Sequence, residues 1–391
     1  MDLEKTTEPA VTTTNFYALP LTELMSFLTG LGKEKFRAQQ LYKWVYEKKI
    51  IDPQQMSNLS KEFRAQLATL VHFELPQLTQ HLRSVDGTQK FLFLMKDGTT
   101  VESVLIPSDD RLTLCISSEV GCNMACKFCY TGKQKLKRRL TADEIVGQFF
   151  EVERTLALQV TAPDEGPKRV TNVVFMGMGE PLDNCEAVFN SVAILCEDHG
   201  RNFSRRKITV STSGLVPEMW RVTESRTRLA VSLNGYDDAS RSDIMPINKK
   251  YPLVDLLNEC RKYARDTGDR VTFEYVLLKG ITDQVEHAQK LWRLVRDIPC
   301  KINIIPFNEH PGADYQRPDD AAVNRFHAEL MRQGAHVLLR RTMGRDIFAA
   351  CGQLTSEFAN KPQMMDISNS QIGGPHHVRN SRRREPSLRQ H

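Results

Sequence analysis

The chain has 391 residues, 40% of them hydrophobic and 26% charged, with a formal net charge of +5. No run of about eighteen apolar residues occurs, which excludes a membrane-spanning helix. The start, M-D-L-E-K-T-T-E-P-A-V-T-T-T, lacks the basic head and apolar core of a secretory signal. Nine cysteines without such a signal predict a reducing, cytoplasmic setting in which thiols are kept for metal binding or chemistry. After Pro375, five arginines stand against one glutamate and carry most of the net charge, so any nucleic-acid argument must rest on local patches rather than on a basic whole.

Residues 1–14 are Thr-rich, polar and predicted disordered. From 15 to 76 apolar residues recur at helical spacing: Leu24, Leu28 and Leu31, then Leu41 and Val45, then Leu59, Phe63 and Leu67. Basic and aromatic side chains interleave here (Lys33, Lys35, Phe36, Arg37, Tyr42, Lys43, Trp44, Tyr46, Lys48, Lys49). That mixture suits an RNA-binding helical domain, with rings for bases and cations for phosphates. It equally suits an amphipathic core with a solvated face.

Residues 77–110 switch to strand chemistry, with Asp86-Gly87 and Asp97-Gly98 as hairpin turns. Glu102 alternates onto the same face as Val104 and Ile106, where a carboxylate is costly unless paired or functional. An exposed sheet face would also accept it. From Arg111 a strand-then-helix rhythm begins. The predicted strands are 112–117, 170–176, 206–211, 228–233, 271–277, 301–306 and 336–340. The predicted helices lie near 141–157, 184–197, 215–224, 253–266, 283–297 and 321–333. Thr141 and Glu144 form a capping box at the first of these helices. Such alternation predicts an α/β fold with a parallel sheet, closed or partly closed into a (β/α) barrel over 111–355. The stretch 362–391 is polar, Arg-rich and predicted disordered.

In such folds chemistry gathers at the C-terminal ends of strands. The first predicted strand runs into Cys122, Cys126 and Cys129, spaced C-x3-C-x2-C. A closed zinc site wants four protein ligands, and no second Cys or His pair exists at zinc spacing. Three thiolates with one position left open suit a [4Fe–4S] cluster. Later strands end in G-M-G-E-P (Gly177–Pro181), in Ser211-Thr212-Ser213-Gly214, in Ser232-Leu233-Asn234 and in Pro306-Phe307-Asn308, and the last runs on to Cys351. Taken singly, Ser211, Ser232 and Asn308 read as ordinary turn residues. At one end of a barrel they read as contacts to a single small ligand. Basic runs at Lys133, Lys135, Lys137, Arg138 and Arg139, and at Arg201, Arg205, Arg206 and Lys207, are candidate phosphate contacts.

The segments C-I-S-S-E-V-G-C-N-M-A-C-K-F-C, N-V-V-F-M-G-M-G-E-P, S-T-S-G, I-M-P-I-N-K-K-Y, P-C-K-I-N-I-I-P-F-N and A-A-C-G-Q-L resemble the RlmN/Cfr family of radical S-adenosylmethionine (SAM) methyltransferases over roughly residues 20–360. The resemblance implies a partial (β/α) barrel radical SAM core with a small helical N-terminal accessory domain and a connecting β-hairpin segment. It implies an enzyme that methylates C2 of an adenosine in 23S rRNA and of adenosine 37 in tRNAs. Within the same family, methylation of C8 is the alternative; outside it, a non-catalytic iron–sulfur RNA-binding protein is.

Cys122, Cys126 and Cys129 would ligate the cluster. Cys351 would accept a methyl group from one SAM, and a 5′-deoxyadenosyl radical from a second SAM would take hydrogen from that methyl. Glu102 would accept a proton, and Cys115 would release the product through a disulfide with Cys351. Gly179, Glu180, Ser211, Ser232, Leu233, Asn234 and Asn308 would contact SAM. The implied partners are 23S rRNA, tRNA and an electron donor such as flavodoxin, with the chain acting as a monomer. Asn234 stands where many relatives have His; it can hydrogen-bond but not titrate. Cys185, Cys196, Cys260 and Cys300 are expected to be structural.

Overall fold

The computed structural model describes residues 13–159 and 168–356, which belong to one compact unit ending at Ser356. The expected disorder of 362–391, and nearly all of the Thr-rich start, lies outside the described residues.

The N-terminal module has three helices, α1 (Leu21–Gly30), α2 (Phe36–Tyr42) and α3 (Lys61–Leu70). A π turn, Lys43–Glu47, extends α2. At α3 the Ser60 hydroxyl accepts from the Phe63 N–H at 3.2 Å, which satisfies one of the helix's orphan donors. These helices bury Leu24, Leu28, Leu41, Phe63 and Leu67 in a cluster of their own. The aromatic residues of the basic stretch belong to that cluster: Tyr42, Trp44 and Tyr46 are all buried. Their rings are therefore not available to stack on bases. The sequence could not separate core from solvent because both faces carry aromatics at helical spacing. Phe36 is exposed, as are Lys35, Lys43, Lys48 and Lys49.

The strands β1 (Gln77–Arg83), β2 (Gln89–Leu94), β3 (Thr100–Ser108) and β4 (Arg111–Cys115) are antiparallel neighbours. The segment expected as a connecting hairpin is thus a three-stranded extension of the main sheet. Gly87 and Gly98 sit at positive φ in its turns.

The repeating part follows as α4 (Ala142–Leu158), β5 (Asn172–Phe175), α5 (Cys185–Cys196), β6 (Ile208–Thr212), α6 (Trp220–Ser225), β7 (Arg228–Ser232), α7 (Asp238–Ile244), α8 (Leu253–Thr267), β8 (Val271–Leu277), α9 (Val285–Val295), β9 (Cys300–Pro306), α10 (Asp320–Arg332) and β10 (Val337–Leu339). Each strand pairs with its sequence neighbour, and β4 to β10 are all parallel. The ten-stranded sheet is open, because β10 and β1 are its two edges. Its inner residues nevertheless share one cavity, so the parallel part curls into a partial barrel.

β8 shows how the sheet divides its faces. Phe273, Tyr275 and Leu277 join the outer core, where the Tyr275 ring stacks on Phe326 of α10 at 5.5 Å. Glu274 and Val276, on the alternate face, line the inner cavity. α4 ties the module to the sheet: Ile145, Phe149 and Val152 enter the main core, whereas Val146 enters the module's cluster. The cap expected at its start is present, with the Thr141 N–H donating to the Glu144 carboxylate at 3.0 Å. The short α7, capped by Asp237, was not expected from periodicity; seven residues are too few for an apolar stripe to declare itself.

Candidate active site and cofactor cavity

β4 ends at Cys115, and the chain turns through Ser117 into the three-cysteine loop. The Ser117 hydroxyl donates to the Glu102 carbonyl at 2.7 Å and accepts from the Met178 N–H at 2.8 Å. Gln148 of α4 accepts from the Ser117 N–H at 2.9 Å and donates to the Ser117 carbonyl at 3.0 Å. The loop therefore starts from a fixed post. Within it, Cys129 N–H donates to Cys126 O at 3.1 Å, and Gly132 lies so close that a Cβ would sit 2.6 Å from Cys126 O.

Cys122, Cys126 and Cys129 line one cavity together with Gly179, Glu180, Ser211, Ser232, Asn234, Asn308 and Cys351. The cavity opens to solvent. Cys351 is brought there by a web of bonds. Asn308 Nδ2 donates to the Cys351 carbonyl at 3.1 Å, Tyr130 N–H to Gly352 O at 2.8 Å, and Thr131 Oγ1 to Leu354 O at 2.7 Å. The last segment of the domain is thus sewn to the cysteine loop, more than two hundred residues away in sequence.

The Glu180 carboxylate is buried, accepting from the Ser213 N–H at 2.7 Å and the Leu182 N–H at 3.2 Å. Burial raises its pKa. Asn234 adopts a left-handed backbone with φ of 50°, a region asparagine tolerates better than most residues. Its side-chain Oδ1 accepts from the Val276 N–H at 2.9 Å, bridging the end of β7 to β8 at the cavity wall. Asn234 thus has a structural partner here.

Three predicted site residues stand behind the wall rather than on it. The Leu233 side chain is in the hydrophobic core. Cys115 is buried, and burial pushes its thiol up to about 12, with Cys351 next among the causes. Glu102 is fully buried beside Lys90, at 3.1 Å, and accepts from the Thr355 N–H at 2.9 Å. Its face is therefore inward and paired. All nine cysteines are free thiols in this structure.

The donor set fits a [4Fe–4S] cluster. Among the described residues no three Cys, His, Asp or Glu side chains converge closely enough to hold a single metal ion. The three thiols line one cavity, and a cluster offers each thiolate its own iron. Burial raises the pKa of all three, so metal ligation is what would hold them as thiolates.

Residues 14–73 match the ribosomal RNA large subunit methyltransferase N-terminal domain, and residues 116–291 match the radical SAM superfamily. A dual-specificity RNA methyltransferase RlmN of Bdellovibrio bacteriovorus is 64% identical over 92% of this chain and 88% of its own length. Its counterpart in Geobacter sulfurreducens is 46% identical over 90% of this chain and 96% of its own. This chain belongs to the RlmN family of radical SAM RNA methyltransferases. A crystal structure of a radical SAM methyltransferase from Sphaerobacter thermophilus, 41% identical, superposes with a TM-score of 0.81, covering 88% of this chain and all of that one. Like other radical SAM proteins, the RlmN family uses a [4Fe–4S] cluster and SAM.

The RlmN-type cavity contains residues that motif reading did not single out. Glu274 and Arg340 line it from β8 and from just beyond β10, and Arg340 is the one cation among its lining residues. The Cys351 thiol first, and then Glu274, holds the Arg340 guanidinium protonated. Arg241 of α7 is fully buried behind the wall. Its guanidinium donates to Leu233 O at 2.9 Å, Asn248 Oδ1 at 2.8 Å, Ser232 O at 3.2 Å and Ser213 O. The only sequence signal for Arg241 was its place between two predicted motifs.

Much of the basic run after the cysteine loop is consumed internally. Arg138 makes a bidentate contact to Glu144 at 2.7 and 2.8 Å and also bonds Asp97. Arg139 bonds Asp183 at 2.8 Å, and Lys133 donates to the Gly312 carbonyl. Lys135 and Lys137 remain exposed, as do Arg205, Arg206 and Lys207, whereas Arg201 pairs with Glu153 at 2.9 Å.

Proposed function

We propose that this enzyme methylates C2 of an adenosine in 23S rRNA and of adenosine 37 in tRNAs. The observation that carries the reading is Cys351, a thiol unnecessary for cluster binding, held in the same cavity as the three cluster cysteines and the Glu180 turn. C2 of adenine is electron-poor and no nucleophile, so direct displacement on SAM cannot methylate it and radical chemistry is needed. The cluster, with SAM at its open iron, would supply the electron that cleaves SAM to a 5′-deoxyadenosyl radical.

The chain's own residues do the rest. Cys122, Cys126 and Cys129 hold the cluster. Gly179 lets the backbone approach SAM, Glu180 binds its ammonium group, and Ser211, Ser232, Asn234 and Asn308 complete its contacts, with Leu233 anchoring Ser232 and Asn234 from the core side. Cys351 first takes a methyl group on Sγ, displacing S-adenosylhomocysteine and losing its thiol proton. That S-methyl carbon later loses a hydrogen atom to the 5′-deoxyadenosyl radical and bonds to C2, and the adduct gives up one electron, which returns to the cluster. Glu102, held beside Lys90, accepts the proton that leaves C2. Cys115 attacks the Cys351 sulfur and its thiol proton passes to the departing carbon, so the methylated base leaves and a disulfide remains for a reductant to reopen. Burial raises the Cys115 thiol to about 12, which keeps it protonated and unreactive until that step. Arg340 lies close enough to oppose that rise at Cys115 electrostatically.

The helical module and the exposed Lys35, Lys43, Lys48 and Lys49 would meet RNA through phosphates, with salt-dependent affinity. No helix among the described residues is long and apolar enough to cross a membrane. A cytoplasmic monomer reduced by a flavodoxin-type donor is the setting proposed.

The test is anaerobic reconstitution and reaction with SAM and a 23S rRNA fragment or tRNA, with nucleosides resolved by mass spectrometry. The expected product is 2-methyladenosine. The Cys351→Ala variant should keep the cluster's absorbance and lose product entirely. An 8-methyladenosine product, or full activity in that variant, would overturn the proposal.

A further inference from the structure

Behind the Gly177–Pro181 turn lies a carboxyl group that the mechanism does not use. Glu119 is fully buried. Its Oε2 accepts from the Glu180 N–H at 2.8 Å, and its side chain fills the space where Gly179 lacks a Cβ, which would lie 2.5 Å from Glu119 Cβ. Gly179 has φ of 100°, so the turn is both shaped and sealed by this contact.

The other oxygen, Oε1, is buried and accepts no hydrogen bond, and the same is true of Asp183 Oδ2. These two carboxyls interact directly, since Asp183 both opposes Glu119 electrostatically and pairs with its side chain. Two neighbouring buried carboxyls, each with an oxygen left without a donor, are satisfied when one of them carries a proton that it donates to the other. Glu119 is the more deeply enclosed member, whereas Asp183 also accepts from Arg139 at 2.8 Å. The charged groups facing Glu119 are Glu180 and Asp183 from the turn and the segment after it, and Arg139 from the segment just before α4, whose Nε is 3.9 Å from Oε1.

We propose that Glu119 holds a proton behind the turn, directed at the Asp183 carboxylate, and that losing this proton tightens the cavity's hold on a ligand bearing an ammonium group. Glu119 is then a positioning residue that acts through Glu180. The inference rests on the reading of Glu180 as the ammonium contact of SAM. Burial first, and then Asp183, pushes Glu119 up to about 8, so the exchange falls close to neutral pH. The sign follows from linkage. An arriving ammonium group favours the ionised form, so binding expels the proton, and affinity rises as pH climbs through the Glu119 midpoint.

The Glu119→Gln variant is close to an isostere of the protonated form. Its carbonyl can still accept from the Glu180 N–H, and its amide can donate to Asp183 Oδ2. The experiment measures SAM affinity of the cluster-loaded protein by calorimetry from about pH 6.5 to about 9.5, either side of that midpoint, in buffers of different ionisation enthalpy. SAM's own amine titrates in this range for every variant, so the readout is the ratio of wild-type to variant affinity.

The expected result is a ratio that rises several-fold with pH, with proton release on binding in the wild type that falls in Glu119→Gln. Asp183→Asn, which removes the opposing charge, should move the rise to lower pH. A flat ratio with equal proton release, while SAM still binds, would overturn the role of Glu119. If Glu180→Gln leaves SAM affinity unchanged, it is the Glu180 reading that fails, and with it the premise.

Discussion

Arg241 offers a direct test of how the cavity is held open. Arg241→Met keeps an unbranched chain of similar length in the same tunnel but removes every donor. The native guanidinium serves four acceptors, the carbonyls of Ser213, Ser232 and Leu233 and the Asn248 side chain. Hydrogen bonds to a charged group contribute roughly 1.5–3 kcal/mol each, which sets a gross loss well above 5 kcal/mol. Against this, burial pulls the guanidinium down to about 10. That shift corresponds to roughly 3 kcal/mol of desolvation, which the variant no longer bears. The net expectation is a loss of about 4 kcal/mol, in the range found when a buried charged contact is broken.

The four acceptors belong to the ends of β6 and β7 and to the segment after α7, and the first two strands carry Ser211, Ser232 and Asn234. SAM affinity should therefore fall at least about ten-fold, the equivalent of 1.4 kcal/mol. Urea unfolding followed by circular dichroism measures the first quantity, and equilibrium binding of SAM the second. Arg241→Lys should fall between, since an ammonium keeps the charge but not the planar fork. A stability loss below about 1 kcal/mol, no more than one ordinary hydrogen bond, together with unchanged SAM affinity would refute the reasoning.

Two further changes probe the frame of the site. In Gly177→Ala the new Cβ would lie 2.6 Å from the Ile116 carbonyl and 2.7 Å from Ser117 Oγ; the variant should lose about 1–3 kcal/mol by overpacking, read as a lower urea midpoint, and bind SAM more weakly. Asp97 is held below the usual carboxylate range chiefly by its hydrogen bond from Arg138. Its folded value is depressed, so the stabilisation is complete above the ordinary aspartate range and fades as pH falls through the folded value. Arg138→Ala should remove this dependence, and urea midpoints taken at a series of acidic pH values that run parallel in both proteins would count against it.

The strand-then-helix order from Arg111 onward was legible because each element has a strong local signature: β8 is dense in β-branched and aromatic residues, and α4 opens with a cap. The C-x3-C-x2-C loop and the G-M-G-E-P turn were legible for the same reason, since each is a short contiguous pattern. The N-terminal aromatics were ambiguous. Tyr42 and Trp44 have a spacing that serves a core or a surface, and only packing against Phe16 and the rest of the module's cluster assigns them to the core. Arg138 and Arg139 read as phosphate contacts because their partners, Asp97, Glu144 and Asp183, come from separate stretches of chain. Arg241 and Glu274 carry no motif, and an arginine in a short helix ordinarily points to solvent.

What the sequence by itself determined is the chemistry available and the order of the elements. Residue types and short spacings depend on covalent neighbours, and hydrophobic periodicity reports the local conformation directly. The tertiary structure alone decided which groups meet. It brought Cys351 to the cysteine loop, buried Glu102 beside Lys90, and enclosed an oxygen of Glu119 and one of Asp183 away from donors. Those meetings follow from how a curled parallel sheet directs alternate side chains into one enclosed space, where desolvation makes every unpaired charge and every missing partner count.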